Sequence, residues 1–149
     1  VKVLDFGAAQ LTGGRQDAAS LTRSPLMATP QYMAPEQVAG SAIDARADVY
    51  ALGCVMYQAL CGVLPIEGTD ALDVLVRQAT EEVAPLRQRR PDLDIPSSVD
   101  ALVMKAIARN PAHRFQTMAE LADAIEQSGL GMKVLAAGGG GCCGGCGCG

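Results

Sequence analysis

Asp48 to Ile66 reads DVYALGCVMYQALCGVLPI, and from Val49 onward it runs eighteen residues without a charge. At about 3.6 residues per turn, one helical face carries Val49, Leu52, Met56, Ala59 and Leu60, and the opposite face carries Tyr50, Cys54, Tyr57 and Cys61. Both faces are largely apolar. A helix that is hydrophobic all round belongs inside a globular domain or inside a bilayer. Gly62 and Pro65 supply a stop. They leave a continuous helix of about fourteen residues, too short for the roughly 30 Å of a bilayer core, so the stretch is expected to be the central helix of a domain.

The chain has 149 residues, which predicts one domain with one core. Hydrophobic residues make up 49% and aromatics only 3%, so that core is expected to be aliphatic, Met-filled and mainly α. A net charge of -4 excludes bulk neutralisation of phosphates, and no nucleic-acid partner is expected. Arg87, Arg89 and Arg90 form the one basic cluster and read as a solvated loop. The opening VKVLDFG lacks the apolar run of a signal peptide. Cys54 and Cys61, seven apart on the central helix, read as small buried hydrophobes.

Working outward, Val1 to Leu4 alternates like a strand, and Gly7 ends it. Ala8 to Ala34 holds no sustained period and reads as a long functional loop. Pro35 to Val38 suits one helical turn with Pro at its first position. After the central helix, Thr69 is expected to cap a helix that turns Leu72, Leu75, Val76 and Ala79 inward, with Asp70 and Asp73 near its positive end. Ala84 to Pro96 reads as an extended connector. Ser97, with Asp100 three residues on, predicts a helix burying Val99, Leu102, Val103, Ala106 and Ile107 and stopping before Pro111. Thr117 and Glu120 form a capping box for a last helix that turns Met118, Leu121, Ala122 and Ile125 inward and stops near Gly129.

Residues 129–149 break this pattern, since GLGMKVLAAGGGGCCGGCGCG is mostly Gly, Ala and Cys. So much glycine does not offset the backbone entropy of ordering, and a disordered tail is expected. Cys142, Cys143, Cys146 and Cys148 could in principle complete a zinc sphere. Their spacing lacks the paired knuckle such sites use, so a low-complexity extension is the preferred reading.

Four motifs follow in order: Asp5-Phe6-Gly7, then Thr29-Pro30-Gln31-Tyr32-Met33-Ala34-Pro35-Glu36, then Asp44 to Gly53, then Asn110-Pro111-Ala112-His113-Arg114-Phe115. Together, over roughly residues 1–128, they resemble the eukaryotic-like Ser/Thr protein kinase family, particularly its bacterial branch. The resemblance covers the later part of that domain. The expected fold is therefore mainly α: an incomplete protein-kinase-like C-terminal lobe with a strand remnant at its start and a disordered Gly/Cys tail. Its expected divisions are an activation segment at 5–36, a helical lobe at 37–128 and the tail at 129–149.

The resemblance implies roles for individual residues. Asp5 would hold Mg²⁺ against the ATP phosphates, a hard carboxylate for a hard cation, with Phe6 packed inward beside it and Gly7 turning the backbone. Ser20, Thr22 and Ser24 would be phosphosite candidates on the activation loop. Thr29 would seat the substrate hydroxyl, although Ala28 stands where the family usually has Gly. Glu36 and Arg114 would form a buried ion pair fastening the activation segment to the last helices. Asp48 would brace the catalytic loop; with no such loop in the chain, it is expected to cap the central helix. His113, beside Arg114, reads as a surface residue.

The Gly-rich phosphate loop, the strand lysine with its glutamate, and the catalytic Asp and Asn all precede the Mg-binding motif in this family, and none stands among the 149 residues. Mg²⁺ and ATP are therefore expected of an intact parent in the cytoplasm. The chain alone is expected to be inactive and without nucleotide affinity. Expected partners are protein substrates with Ser or Thr hydroxyls and the N-terminal part of the kinase domain, with no membrane segment in this chain. Part of the central helix is expected to be left uncovered, favouring self-association. The competing reading is a non-catalytic module that docks proteins through the helix at Thr69 to Ala79 and its neighbouring loop.

Overall fold

The computed structural model describes residues 30–129, and all of the regular structure there is helical. A 3-10 turn at Pro30–Tyr32 leads into α1 (Pro35–Val38), α2 (Arg46–Cys61), α3 (Ala71–Thr80), α4 (Leu86–Arg89), α5 (Ser97–Ala106), a second 3-10 turn at Pro111–His113, and α6 (Met118–Gln127). The expected strand at Val1–Leu4, most of the loop after it and nearly all of the Gly/Cys tail lie outside the described residues.

The hub is α2, against which α4, α5, α6 and the first 3-10 turn all pack. It begins two residues before Asp48 and ends where expected, at Gly62, whose φ of 75° lies in the left-handed region that glycine adopts without strain. Its buried face is Ala47, Val49, Tyr50, Gly53, Cys54, Tyr57 and Cys61. Leu52 and Val55 are exposed, so the helix is apolar all round in sequence yet covered on one side only among the described residues. No described helix is long and apolar enough to cross a membrane.

Gly53 decides how closely α5 approaches. A Cβ there would stand 2.6 Å from Ile107 Cγ2 and 2.9 Å from Ala106 Cβ, so only glycine lets the two helices meet at this spacing. α5 buries Val99, Leu102, Val103 and Ala106, with Ile107 just beyond its end, as its periodicity requires. Its start differs from expectation. Pro96 occupies the cap position without a side-chain bond, and the Asp100 carboxylate instead accepts the Leu86 N–H at 2.9 Å.

That bond helps explain why the expected extended connector contains α4. Leu86 is fully buried, and the segment is sewn to α2 twice: the Tyr57 hydroxyl donates to the Ala84 carbonyl at 2.9 Å, and Arg90 Nη1 donates to the Cys61 carbonyl at 2.6 Å. Two of the three clustered arginines are engaged, Arg89 with Glu67 and Arg90 with Asp92.

The largest correction concerns α3. It rests mainly on α1 and the first 3-10 turn, and its buried residues are Val74 and Gln78. Leu72 and Val76, expected inside, are 71% and 53% exposed, and Ala79 is exposed with them. The cap is Asp70, which accepts the Asp73 N–H, while Asp73 reaches back to the Thr69 N–H. In α6 the Thr117 hydroxyl oxygen accepts the Glu120 N–H and Glu120 returns to Gln116 N–H, completing the expected box one residue early. Leu121 is buried, with Ala124 and Ile125 packed on the core; Met118 and Ala122 face out.

Candidate functional site

Asp5, Phe6, Gly7, Ser20, Thr22, Ser24 and Thr29 lie outside the described residues. What the structure describes is the anchor of the segment that carries them. The first 3-10 turn and α1 hold Pro30 to Val38, and Gln37 folds back so that its Oε1 accepts the Ala34 N–H at 2.7 Å, fixing the turn that presents Glu36. The Tyr32 hydroxyl donates to Gln58 Oε1 at 2.6 Å, tying the same segment to α2.

Glu36 and Arg114, 78 positions apart, meet in the interior. Arg114 Nη1 and Nη2 donate to the two carboxylate oxygens at 2.6 and 2.7 Å, a fork-to-fork pair. The remaining three N–H groups are also spoken for. Nε donates to the Ala108 carbonyl at 2.7 Å, Nη1 to Arg46 at 3.1 Å and Nη2 to Arg109 at 3.0 Å. A guanidinium has five donors in a fixed plane, and here each finds an oxygen. The Tyr50 ring lies 4.8 Å from the guanidinium carbon, adding a cation–π contact. The Arg114 side chain is wholly buried and Glu36 is 9% exposed. A buried charge is tolerable only under such full pairing.

The sequence around Arg114 makes this placement possible. Asn110 Oδ1 accepts the Ala112 N–H, nucleating the tight turn at Pro111–His113 and swinging Arg114 inward, while His113 stays exposed. Phe115 follows it into the core, with the Lys105 ammonium 4.2 Å from its ring centre. Asp44 grips Arg46 through both carboxylate oxygens and also accepts the Arg46 backbone N–H, which holds the start of α2. The Arg46 guanidinium keeps the Asp44 carboxyl below its ordinary range. Asp44 thus takes the capping part assigned to Asp48, which is exposed in the first turn of α2.

Chemically, the described site is a fastening. Among the described residues no group of three or more His, Cys, Asp or Glu could hold a metal ion. Burial pushes the Cys54 thiol up to about 12 and raises Tyr50 above its ordinary value, which keeps both neutral and unreactive at physiological pH. Sequence reasoning found Glu36 and Arg114 and missed Tyr50, Gln58 and the three carbonyls. Tyr50 stood within the Asp44 to Gly53 motif with no role of its own implied, Gln58 carried no signal beyond its place in the central helix, and carbonyls carry none at all.

The protein kinase domain family matches residues 1–125. Serine/threonine-protein kinase pkn3 of Myxococcus xanthus is 44% identical over 115 residues, covering 76% of this chain and 21% of the relative. Serine/threonine-protein kinase PknB of Mycobacterium leprae (strain TN) is 41% identical over 122 residues, covering 81% of this chain and 19% of the relative. The chain thus spans about a fifth of the length of these curated relatives. Among solved structures, the twitchin kinase region from C. elegans superposes with a TM-score of 0.55 at 20% identity, over 64% of this chain and 16% of that one, a likeness of fold alone. A helical lobe fastened by Arg114 and Glu36, a family match over residues 1–125 and relatives at this identity lead to one conclusion: the chain belongs to the protein kinase family, on its bacterial Ser/Thr branch.

Proposed function

We propose that these 149 residues are a fragment of a Ser/Thr protein kinase domain whose intact parent transfers the γ-phosphoryl of Mg-ATP to protein Ser or Thr hydroxyls in the cytoplasm. The observation that carries this reading is the two-point Arg114–Glu36 pair, which secures the Pro30–Glu36 segment to the helical lobe and so gives a substrate-positioning loop a rigid base. In the parent, Asp5 holds Mg²⁺, with Phe6 and Gly7 shaping the backbone beside it, Thr29 seats the acceptor hydroxyl, and one of Ser20, Thr22 and Ser24 is phosphorylated. The lobe alone lacks the groups that cradle ATP and activate the acceptor, so it is inactive by itself. The test compares this chain with the same chain extended by its in-frame upstream sequence, using labelled ATP and a protein substrate. Phosphorylation is expected only of the extended protein and is lost on Asp5→Asn; phosphorylation by the chain alone would refute the inactive-fragment reading.

A second reading, a docking module, is favoured by one observation. α3 presents Leu72 and Val76 to solvent at 71% and 53% exposure, where a helix serving only the lobe's core would turn them in. It predicts an extended protein that binds a partner through α3 and transfers no phosphate.

A further inference from the structure

We propose that the cavity between α3 and the α2–α5 pair is a binding site for a small apolar molecule bearing a neutral amide. The cavity holds about 300 Å³, at the lower end of the range for ligand sites. Pro35, Tyr50, Met104 and Ile107 give it apolar walls, and Gln78 of α3 forms part of its lining. Gln78 is 3% exposed, yet neither its Nε2 nor its Oε1 has a hydrogen-bond partner among the described residues. Burying an amide unpaired is costly, and α3 does so while Leu72 and Val76 of the same helix stay outside. A group that supplies the missing partners removes that cost.

The chemistry of the partner follows from the donors and acceptors. A carboxamide offers two N–H donors beside one carbonyl acceptor, so the neutral group that answers both with two near-linear bonds in one plane is another amide, its carbonyl accepting from Nε2 and its N–H donating to Oε1. A carboxylate would satisfy the donor and leave Oε1 facing a charge of its own sign; an ammonium would satisfy Oε1 alone. The terminal torsion of Gln is broad, so the amide plane turns readily to meet an entering group. Two carboxylates, Glu81 and Glu82, also border the cavity against the single cation Arg109 in its lining, which further disfavours an anion. The amide can belong to a free small molecule or to a peptide segment.

Occupancy would also reach the fastening. Tyr50 lies against the Arg114 guanidinium, Pro35 precedes Glu36, and the Arg109 carbonyl accepts from Arg114 Nη2. A molecule in this cavity therefore braces the base of the activation segment. The inference is independent of phosphoryl transfer.

The test titrates the ¹⁵N-labelled 149-residue chain with isobutyramide as the free source and N-acetyl-leucine methylamide as the peptide source. Methyl isobutyrate serves as the analogue lacking the N–H. Expected is a saturable shift of the Gln78 side-chain NH₂ signals with at least one amide, a raised melting temperature, and at least tenfold weaker binding of the ester. A response to only one amide supports the site and names its source. Gln78→Met should abolish binding while leaving the melting temperature unchanged or higher. Met104→Phe, which narrows the cavity and keeps Gln78, should weaken binding without touching the amide. No saturable shift with either amide, equal binding of the ester, or a lowered melting temperature in Gln78→Met would overturn the proposal, the last by showing an amide satisfied by enclosed water.

Discussion

Replacing Arg114 with methionine would remove all five guanidinium hydrogen bonds and keep most of the side chain's length. The Glu36 carboxylate, 9% exposed, would then be a buried charge without its partner. Breaking a buried pair from one side costs about 3–5 kcal/mol. Domains of this size hold only about 5–15 kcal/mol in total, so Arg114→Met takes a large fraction of it. With roughly 4–8 °C per kcal/mol for a unit of 60–100 residues, the melting temperature should fall by about 12–40 °C, or folding should fail. Arg114→Lys should fall between, since an ammonium has three donors for five oxygens. The decisive variant is the double one, Arg114→Met with Glu36→Leu. If the cost comes from an orphaned charge, removing both partners leaves none, and the double variant should lose less than the sum of the Arg114→Met and Glu36→Leu losses, by a coupling of about 0.5–3 kcal/mol. Urea unfolding followed by helical circular dichroism measures the unsubstituted chain, Arg114→Met, Arg114→Lys, Glu36→Leu and the double variant. An Arg114→Met loss below about 1 kcal/mol, the worth of an exposed pair, or a double variant equal to the sum of its singles, would refute the reasoning.

Gly53→Ala should destabilise although alanine is the better helix former by about 0.8–1.0 kcal/mol, because its Cβ would press on Ala106 and Ile107, and overpacking costs about 1–3 kcal/mol; a raised unfolding midpoint would contradict that packing. Burial pushes the Cys54 thiol and the Tyr57 phenol up to about 12, each preferring its neutral form in the fold. Their contribution is complete below the unfolded-state values, 9.0 for the thiol and 10.0 for the phenol, and is lost as pH rises through the folded values. Urea midpoints should therefore hold to about pH 8 and decline above about pH 9, less steeply in Cys54→Ala, and a flat profile to about pH 11 would exclude burial of these groups. Asp100→Ala should cost about 1–3 kcal/mol by leaving the Leu86 N–H unpaired, read as a lower midpoint; no change would mean that N–H finds another partner.

The order of helices was legible because each signal was local. Gly62 ends α2, Thr117 and Glu120 start α6, and the i, i+3, i+4, i+7 run from Val99 gives the buried face of α5. Which face of α3 turns inward was not legible, since that depends on what it meets. Periodicity locates an apolar stripe and assumes the core lies beneath it, whereas α3 lies mainly on α1 and the first 3-10 turn and buries Val74 and Gln78 instead. The connector misread at α4 failed for the same reason. Its order comes from the Tyr57–Ala84, Arg90–Cys61 and Leu86–Asp100 bonds, each spanning more than ten positions, and a window over Ala84 to Pro96 contains only one partner of each.

The same limit separates the two halves of the fastening. Glu36 and Arg114 stood out because they fall within motifs whose spelling carries a family memory, and that memory substitutes for contact across 78 positions. The oxygens of Arg46, Ala108 and Arg109 have no spelling, because any residue presents the same carbonyl. Yet they decide the physics. Glu36 engages two of the five donors, and a guanidinium with three unpaired N–H groups would not remain wholly buried. The helix start at Arg46 and the turn at Pro111–His113 must therefore be built before the ion pair is favourable, which makes the pair a reporter of the lobe's assembly as well as a bond within it. On this account Asn110→Ala, which removes the Ala112 N–H acceptor and leaves every contact of Arg114 intact, should still weaken the coupling between Glu36 and Arg114 in a mutant cycle. An unchanged coupling energy would show that the pair forms independently of the turn that delivers it.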